Sequence, residues 1–200
     1  MKAAVFDIEC TDLAAVGSGI ILCAAVRPVA TQRTRVFRID SHEYEPSDEF
    51  GFFERQEKDL LNEIFEELDK YDMLVGHNVN RFDIPYLRSR AYQHGQNWWT
   101  HPLTYDTLEG FRRSGFLTRQ NGFGKPSASM AMVADFLGLE QLKTAIYPRE
   151  WWLGIWGNKK KRIEAMNEMV DHCQRDVRMN AQMFPILLTN DPKVNIKRLP

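Results

Sequence analysis

Two hundred residues, 44% hydrophobic and 12% aromatic, suffice for one well-buried domain and are too few for two. No stretch approaches the ~18 consecutive apolar residues of a membrane span, and Met1-Lys2 runs into an apolar segment without a signal-peptide pattern, so the expectation is a single domain over 1–200, soluble, intracellular and cytoplasmic, with no membrane partner. Cys10, Cys23 and Cys173 are odd in number and match no CxxC spacing, which argues against a disulfide framework or a zinc site.

Lys2 to Asp7 is short and apolar and meets polar Thr11-Asp12, as a central strand buried on both sides would. Gly19 to Val26 is a second apolar run; Pro28 and Thr31-Gln32 break it, and Thr34 to Ile39 resumes as a more exposed strand, giving an antiparallel meander. Residues 40 to 53 read as loop. Leu60, Leu61, Ile64, Phe65 and Leu68 recur at helical spacing within Lys58 to Tyr71, so one face of that helix packs on a sheet. Met73 to Gly76 is a strand, and Asp83 to His94 a helix with Pro85 in its first turn, where proline is tolerated. Leu103 to Asp106 is a last short strand with a helical piece through Phe111. Arg113 to Ser127, with four breakers (Gly115, Gly122, Gly124, Pro126), reads as a mobile basic loop. Ser129 to Leu137 is helical and stops at Gly138; residues 143 to 158 are aromatic and Gly-rich without an assigned element; Lys161 to Leu188 is a long amphipathic helix. The order βββαβαβα implies an α/β fold with a mixed sheet flanked by helices.

The net charge of -1 averages over an uneven chain. Residues 40 to 72 hold 13 of the 27 acids and three bases, whereas the remainder carries 23 bases against 14 acids. One surface can therefore be basic enough to track phosphates; alternatively the acidic stretch is a solvated helix face and its loop.

An Asp-x-Glu pair on a strand aims both carboxylates at the same face. Four acid-x-acid pairs occur (Asp7/Glu9, Glu43/Glu45, Glu57/Asp59, Glu67/Asp69), but only Asp7/Glu9 ends an apolar strand, where active sites of open sheets lie. Two desolvated carboxylates there call for a cation. His172 and Asp176 are four apart on a helix and share a face. With Asp83 they complete an inventory of four acids and one base, which is what two-metal phosphodiester hydrolysis requires: Asp7, Glu9, Asp83 and Asp176 as ligands to two Mg²⁺ or Mn²⁺ ions, and His172, of ordinary pKa near ~6.5, to accept a proton.

These stretches carry a resemblance. Phe6-Asp7-Ile8-Glu9-Cys10-Thr11-Asp12-Leu13, Gly76-His77-Asn78-Val79-Asn80-Arg81-Phe82-Asp83 and His172-Cys173-Gln174-Arg175-Asp176 resemble, in order, the three motifs of the DnaQ-like (DEDD) 3′→5′ exonucleases. The resemblance implies a ribonuclease H-like fold with a five-stranded mixed sheet, two metal ions, and release of nucleoside 5′-monophosphates from the 3′ end of single-stranded nucleic acid. DNA is the favoured strand, with an RNA-directed exoribonuclease or a non-catalytic nucleic-acid or partner-binding module as alternatives. It also implies that Cys10, Thr11 and Leu13 lie by the terminal nucleotide, that Asn78 and Phe82 contact its sugar and base, and that a separate polymerase or repair complex is a partner. One departure stands out: His172 precedes Asp176 by four positions, the spacing of the family's tyrosine subclass, to which family B polymerase proofreading domains belong; the histidine subclass places its base one position further away.

Trp151, Trp152 and Trp156 beside Lys159-Lys160-Lys161-Arg162 combine stacking surface with phosphate-binding charge; alternatively the tryptophans cap the core and the basic run opens the last helix in solvent. The loop bearing Arg119, Phe123 and Lys125 is an equal candidate for guiding a strand. Asp106 is expected to hold a helix N-terminus or support the site and is not counted as a ligand.

Overall fold

Eight consecutive residues with apolar side chains at most positions make β1 (Ala3–Cys10), which lies at the centre of a five-stranded sheet. The structure, a computed structural model, describes residues 1–31, 33–42, 49–96, 103–116, 128–140 and 148–194. Strand order is β3-β2-β1-β4-β5, with β2 (Ile21–Pro28), β3 (Arg35–Arg38), β4 (Met73–Gly76) and β5 (Leu103–Asp106). β1, β2 and β3 form the antiparallel meander, while β4 and β5 run parallel to β1. The sheet is thus mixed and the α/β class read from the sequence is the one observed.

β2 is buried at every position from Ile21 to Val26, so both of its faces are covered. α1 (Glu49–Leu68) and α6 (Lys159–Asn190) both pack against it. α1 buries Leu60, Leu61, Ile64 and Leu68 completely; it begins at Glu49, inside the stretch expected to be loop. α2 (Asp83–Gln93) and α3 (Thr107–Arg113) come after the two parallel strands β4 and β5. α4 (Met130–Phe136) is capped by Ser129, and Gly138 lies beyond it in the left-handed region. α5 (Pro148–Trp156), which the sequence did not announce as a helix, packs on α6. A Cβ on Gly154 would stand 2.7 Å from the Met169 methyl, so the two helices meet where α5 has no side chain.

The feature that creates space for a site is the unequal length of the central pairings. β1 pairs with β2 along almost its whole length, Ala4 to Cys10, but with β4 only from Ala3 to Val5. Beyond Val5 the ladder with β4 ends, and the Ile8 N–H on that edge meets Asp83 at the start of α2 instead. The chain leaves β4 through Gly76, where a Cβ would meet Val79 at 2.7 Å and the Phe6 carbonyl at 3.3 Å. Only glycine permits so close an approach.

Candidate active site

Asp7 and Glu9 share one face of β1, as the alternation requires. Asp7 is half-buried and Glu9 buried. A carboxylate oxygen of each lies within 4.8 Å of the other. Glu9 is fixed from outside the sheet: the Trp151 indole N–H donates to Oε2 at 3.1 Å.

Asp83 arrives from the other side. The turn after β4 is tied by the Asn78 carbonyl, which accepts from Arg81 N and Phe82 N, both at 3.0 Å; Asn78 itself takes a left-handed backbone, φ 65. Asp83 then opens α2, where the helix N-terminus favours a negative charge. It is buried, and the Ile8 N–H, on the strand edge that β4 leaves open, donates to its carboxylate. Burial dominates nonetheless. Desolvation first, and the charge of Asp106 in lesser measure, push the Asp83 carboxyl up to about 7 against the backbone amides that favour ionisation.

Asp106 acts as expected. It caps α3, accepting from Leu108 N at 3.0 Å and Glu109 N at 3.4 Å, and its two oxygens also take Asn78 N at 3.0 Å and Asn80 N at 3.3 Å. One buried carboxylate thus stitches the start of α3 to the turn that delivers Asp83.

α6 brings the third pair. His172 and Asp176 are buried on one face, with the His172 Nε2 atom 3.6 Å from Asp176 Oδ2 and 3.7 Å from Glu9 Oε1. The imidazole bridges the third segment to the first. Of the five residues singled out from the sequence, Asp7 lies beside Glu9, His172 links Glu9 to Asp176, and Asp83 is tied to the strand through the Ile8 N–H. Cys173 is drawn in as well: its thiol donates to the Asp7 carbonyl at 3.4 Å and its sulfur lies within 4.8 Å of the Asp7 and Glu9 oxygens. Burial, then contact with Cys23, raises its pKa well above the usual thiol value, so it stays protonated and is no ligand for a hard cation. The oxygen donors that remain are the chemistry Mg²⁺ and Mn²⁺ prefer.

The loop after β1 is more built than its sequence suggests. Thr11 is buried, its Oγ1 accepting from Ile20 N at 3.0 Å, and the Cys10 thiol donates to the Asp12 carbonyl at 3.1 Å, with burial pushing its pKa up to about 12. Both side chains are therefore engaged within the loop. Leu13 is 84% exposed at its tip, with Val16 similarly exposed. Phe82 is half-buried and packs on Tyr86 at 5.5 Å between centroids. α2 holds the loop: the Tyr86 hydroxyl donates to the Asp12 carbonyl at 3.1 Å, and a Cβ on Gly19 would collide with that hydroxyl at 2.2 Å. Arg90 Nη1 reaches the carbonyls of Ala15 and Gly17 at 3.4 and 3.3 Å.

Arg90 is in turn anchored by Glu57 of α1, which accepts from Arg90 Nε at 2.9 Å, His94 Nε2 at 2.7 Å and Ile21 N at 2.8 Å. Burial alone would raise the Glu57 pKa, but these donors outweigh it and hold the carboxyl below the ordinary range. This clamp and the Trp151 contact with Glu9 are what sequence reasoning missed. A signal for the first existed: Glu57 lies three and four residues before Leu60 and Leu61, so a charge sits on the apolar face of α1.

Trp151 packs against the core and grips Glu9, while Trp152 and Trp156 are exposed. Arg119, Phe123 and Lys125 lie outside the described residues.

The family model for the exonuclease domain of family B DNA polymerases matches residues 1–139. The chain belongs to that family. The matched region includes Asp7, Glu9 and Asp83 of that exonuclease domain, whereas His172 and Asp176 lie beyond it. Among solved structures, the family B DNA polymerase of the hyperthermophilic archaeon Pyrobaculum calidifontis superposes with a TM-score of 0.56 at 19% identity, over 95% of this chain and 25% of the polymerase. The chain thus spans a quarter of that polymerase's length and shares its fold there. No curated protein matches the sequence.

Proposed function

We propose that residues 1–200 form a single exonuclease domain that removes nucleoside 5′-monophosphates from the 3′ end of single-stranded DNA, with Asp7, Glu9, Asp83 and Asp176 as ligands to two Mg²⁺ or Mn²⁺ ions. The observation that carries this reading is the convergence of three distant segments: His172 stands 3.7 Å from Glu9 and 3.6 Å from Asp176, and Asp83 is hydrogen-bonded to the strand between Asp7 and Glu9. The cluster fits such ions because its donors are hard oxygens and a buried carboxyl raised to about 7 gains most from a compensating cation. Divalent ions, when bound, supply Lewis acidity for ionising water and for the departing oxygen.

The chain's own groups do the rest. Asp7, which is half-buried, would hold the ions together with Glu9, Asp83 and Asp176. His172, adjacent to Glu9 and Asp176, orients the attacking water and takes its proton at Nε2. Its reach is shorter than that of the phenol its relatives use at this spacing, and its contact with both acids compensates by placing the ring within the cluster. Leu13 at the loop tip and half-buried Phe82 offer apolar surface to the terminal base, with Asn78 at its sugar. The Cys10 and Thr11 side chains shape the loop that presents Leu13. A separate polymerase is the natural partner for a proofreading activity.

The test is direct. End-labelled single strands incubated with Mg²⁺ or Mn²⁺ yield mononucleotides from the 3′ end, DNA faster than RNA, while Asp7→Ala and Asp176→Asn lose at least about 10²-fold in rate with the fold retained. Full-rate digestion by either purified variant refutes the ligand assignment, and faster digestion of RNA refutes the substrate.

A further inference from the structure

The outer face of α5 is unlike a solvated helix face. Arg149, Trp152 and Trp156 are spaced i, i+3 and i+7, so they form one stripe, and all three are exposed; the two indoles are 40% and 56% accessible. The inner face carries half-buried Trp151, buried Gly154 and buried Ile155. Core packing accounts for the inner residues and does not account for two large indoles held in solvent. Directly after the stripe, Lys159, Lys160 and Lys161 are exposed at the start of α6, with Arg162 half-buried. Lys160 meets Glu164 at 3.9 Å in a solvent-exposed pair that contributes little.

The helix that bears this stripe adjoins the carboxylate cluster, because Trp151 on its inner face holds Glu9 at 3.1 Å. Trp152 and Trp156 are one helical turn apart, about 5–6 Å along the axis, so two successive bases can each find an indole. Cations flank the aromatics on both sides, at Arg149 and at Lys159 to Arg162, as a phosphate backbone demands.

Resting on the reading of the site as a 3′-end exonuclease, we infer that the Arg149–Trp152–Trp156 stripe and the basic start of α6 form a stacking platform for the single-stranded DNA that lies 5′ of the scissile nucleotide. The platform sets the length of strand the enzyme grips, independent of base identity. The acidic α1 face, by its charge, is excluded from that path.

The test measures binding without hydrolysis. In EDTA, the full chain retains oligothymidylate of about a dozen nucleotides on filters; Trp152→Ala with Trp156→Ala weakens binding by roughly tenfold per indole, and Trp152→Phe with Trp156→Phe restores most of it. Lys159→Ala with Lys161→Ala lowers the slope of log affinity against log salt by about 0.7 for each lysine that neutralises a phosphate in the parent. Matching melting temperatures establish that the variants fold. Affinity within about twofold of the parent for the alanine pair, or an unchanged salt slope, overturns the platform. Failure of the parent chain to shorten any 3′ end in Mg²⁺ overturns the exonuclease reading instead, and the binding measurements made in EDTA separate the two results.

Discussion

Asp83 shows how a single side chain can be assigned to chemistry by its cost. It is buried, opens a helix, and its carboxyl is raised to about 7, chiefly by desolvation. A carboxyl whose pKa is higher folded than unfolded contributes stability that is full below about 4 and is lost as pH rises through about 7. Metal-free protein therefore weakens across that window, and Asp83→Asn removes the dependence. At pH near 8 in EDTA the variant is the more stable protein, by on the order of 2–4 kcal/mol; thermal melts from pH 4 to 8 on both proteins check this, and a lower melting point for the variant counts against a strained carboxylate. The sequence singled out Asp7 and Glu9 by their place at the end of an apolar strand, His172 and Asp176 by their shared helix face, and Asp83 by the motif it closes. The Trp151 contact with Glu9 was not legible, because an indole hydrogen bond to a carboxylate 142 residues away leaves no local pattern.

Among the elements, the loop after β1 depends on side chains of two helices distant from it in sequence. Glu57 of α1 anchors Arg90 of α2, and Arg90 holds the carbonyls of Ala15 and Gly17. Glu57→Gln leaves a buried guanidinium without its counter-charge, a destabilisation of about 3–5 kcal/mol. Glu57 titrates below the usual carboxylate range, so its contribution is present above the unfolded value of ~4.3 and is lost as pH falls through the lower folded value. The gap in melting temperature between parent and Glu57→Gln is accordingly wide at pH 7 and closes below about pH 4; a constant gap removes the ionic account. Strands were read well from the sequence because short apolar runs bounded by turn residues admit few alternatives. α5 was missed for a reason in its composition: three tryptophans and Gly154 are poor helix formers, and the helix exists because that glycine lets it dock on Met166 and Met169 of α6. Tertiary packing overrides propensity there.

For the molecule as a whole, the sheet order β3-β2-β1-β4-β5 puts the two earliest acids on the central strand, and the short β1 to β4 pairing opens one edge to them. The central place of β1 was expected from its apolar run, whereas the sheet order and the paired lengths that create the opening were not. The proposed site, with its four acids, is stabilised by whatever neutralises them. Mn²⁺ at about 100 times its Kd raises stability by ~2.7 kcal/mol through mass action; Asp7→Ala abolishes the gain, and calorimetric scans with and without the ion measure it. No described helix is long and apolar enough to cross a membrane.

The Trp151 contact with Glu9 gives this enzyme an optical reporter of its own. A paramagnetic ion seated on that carboxylate lies close enough to the indole to quench its emission, while diamagnetic Mg²⁺ alters only its wavelength. Titrating Mn²⁺ into the parent and into Trp151→Phe therefore reads ion loading from within the site, without substrate or label, and equal quenching in the two proteins would dissociate the indole from the ion.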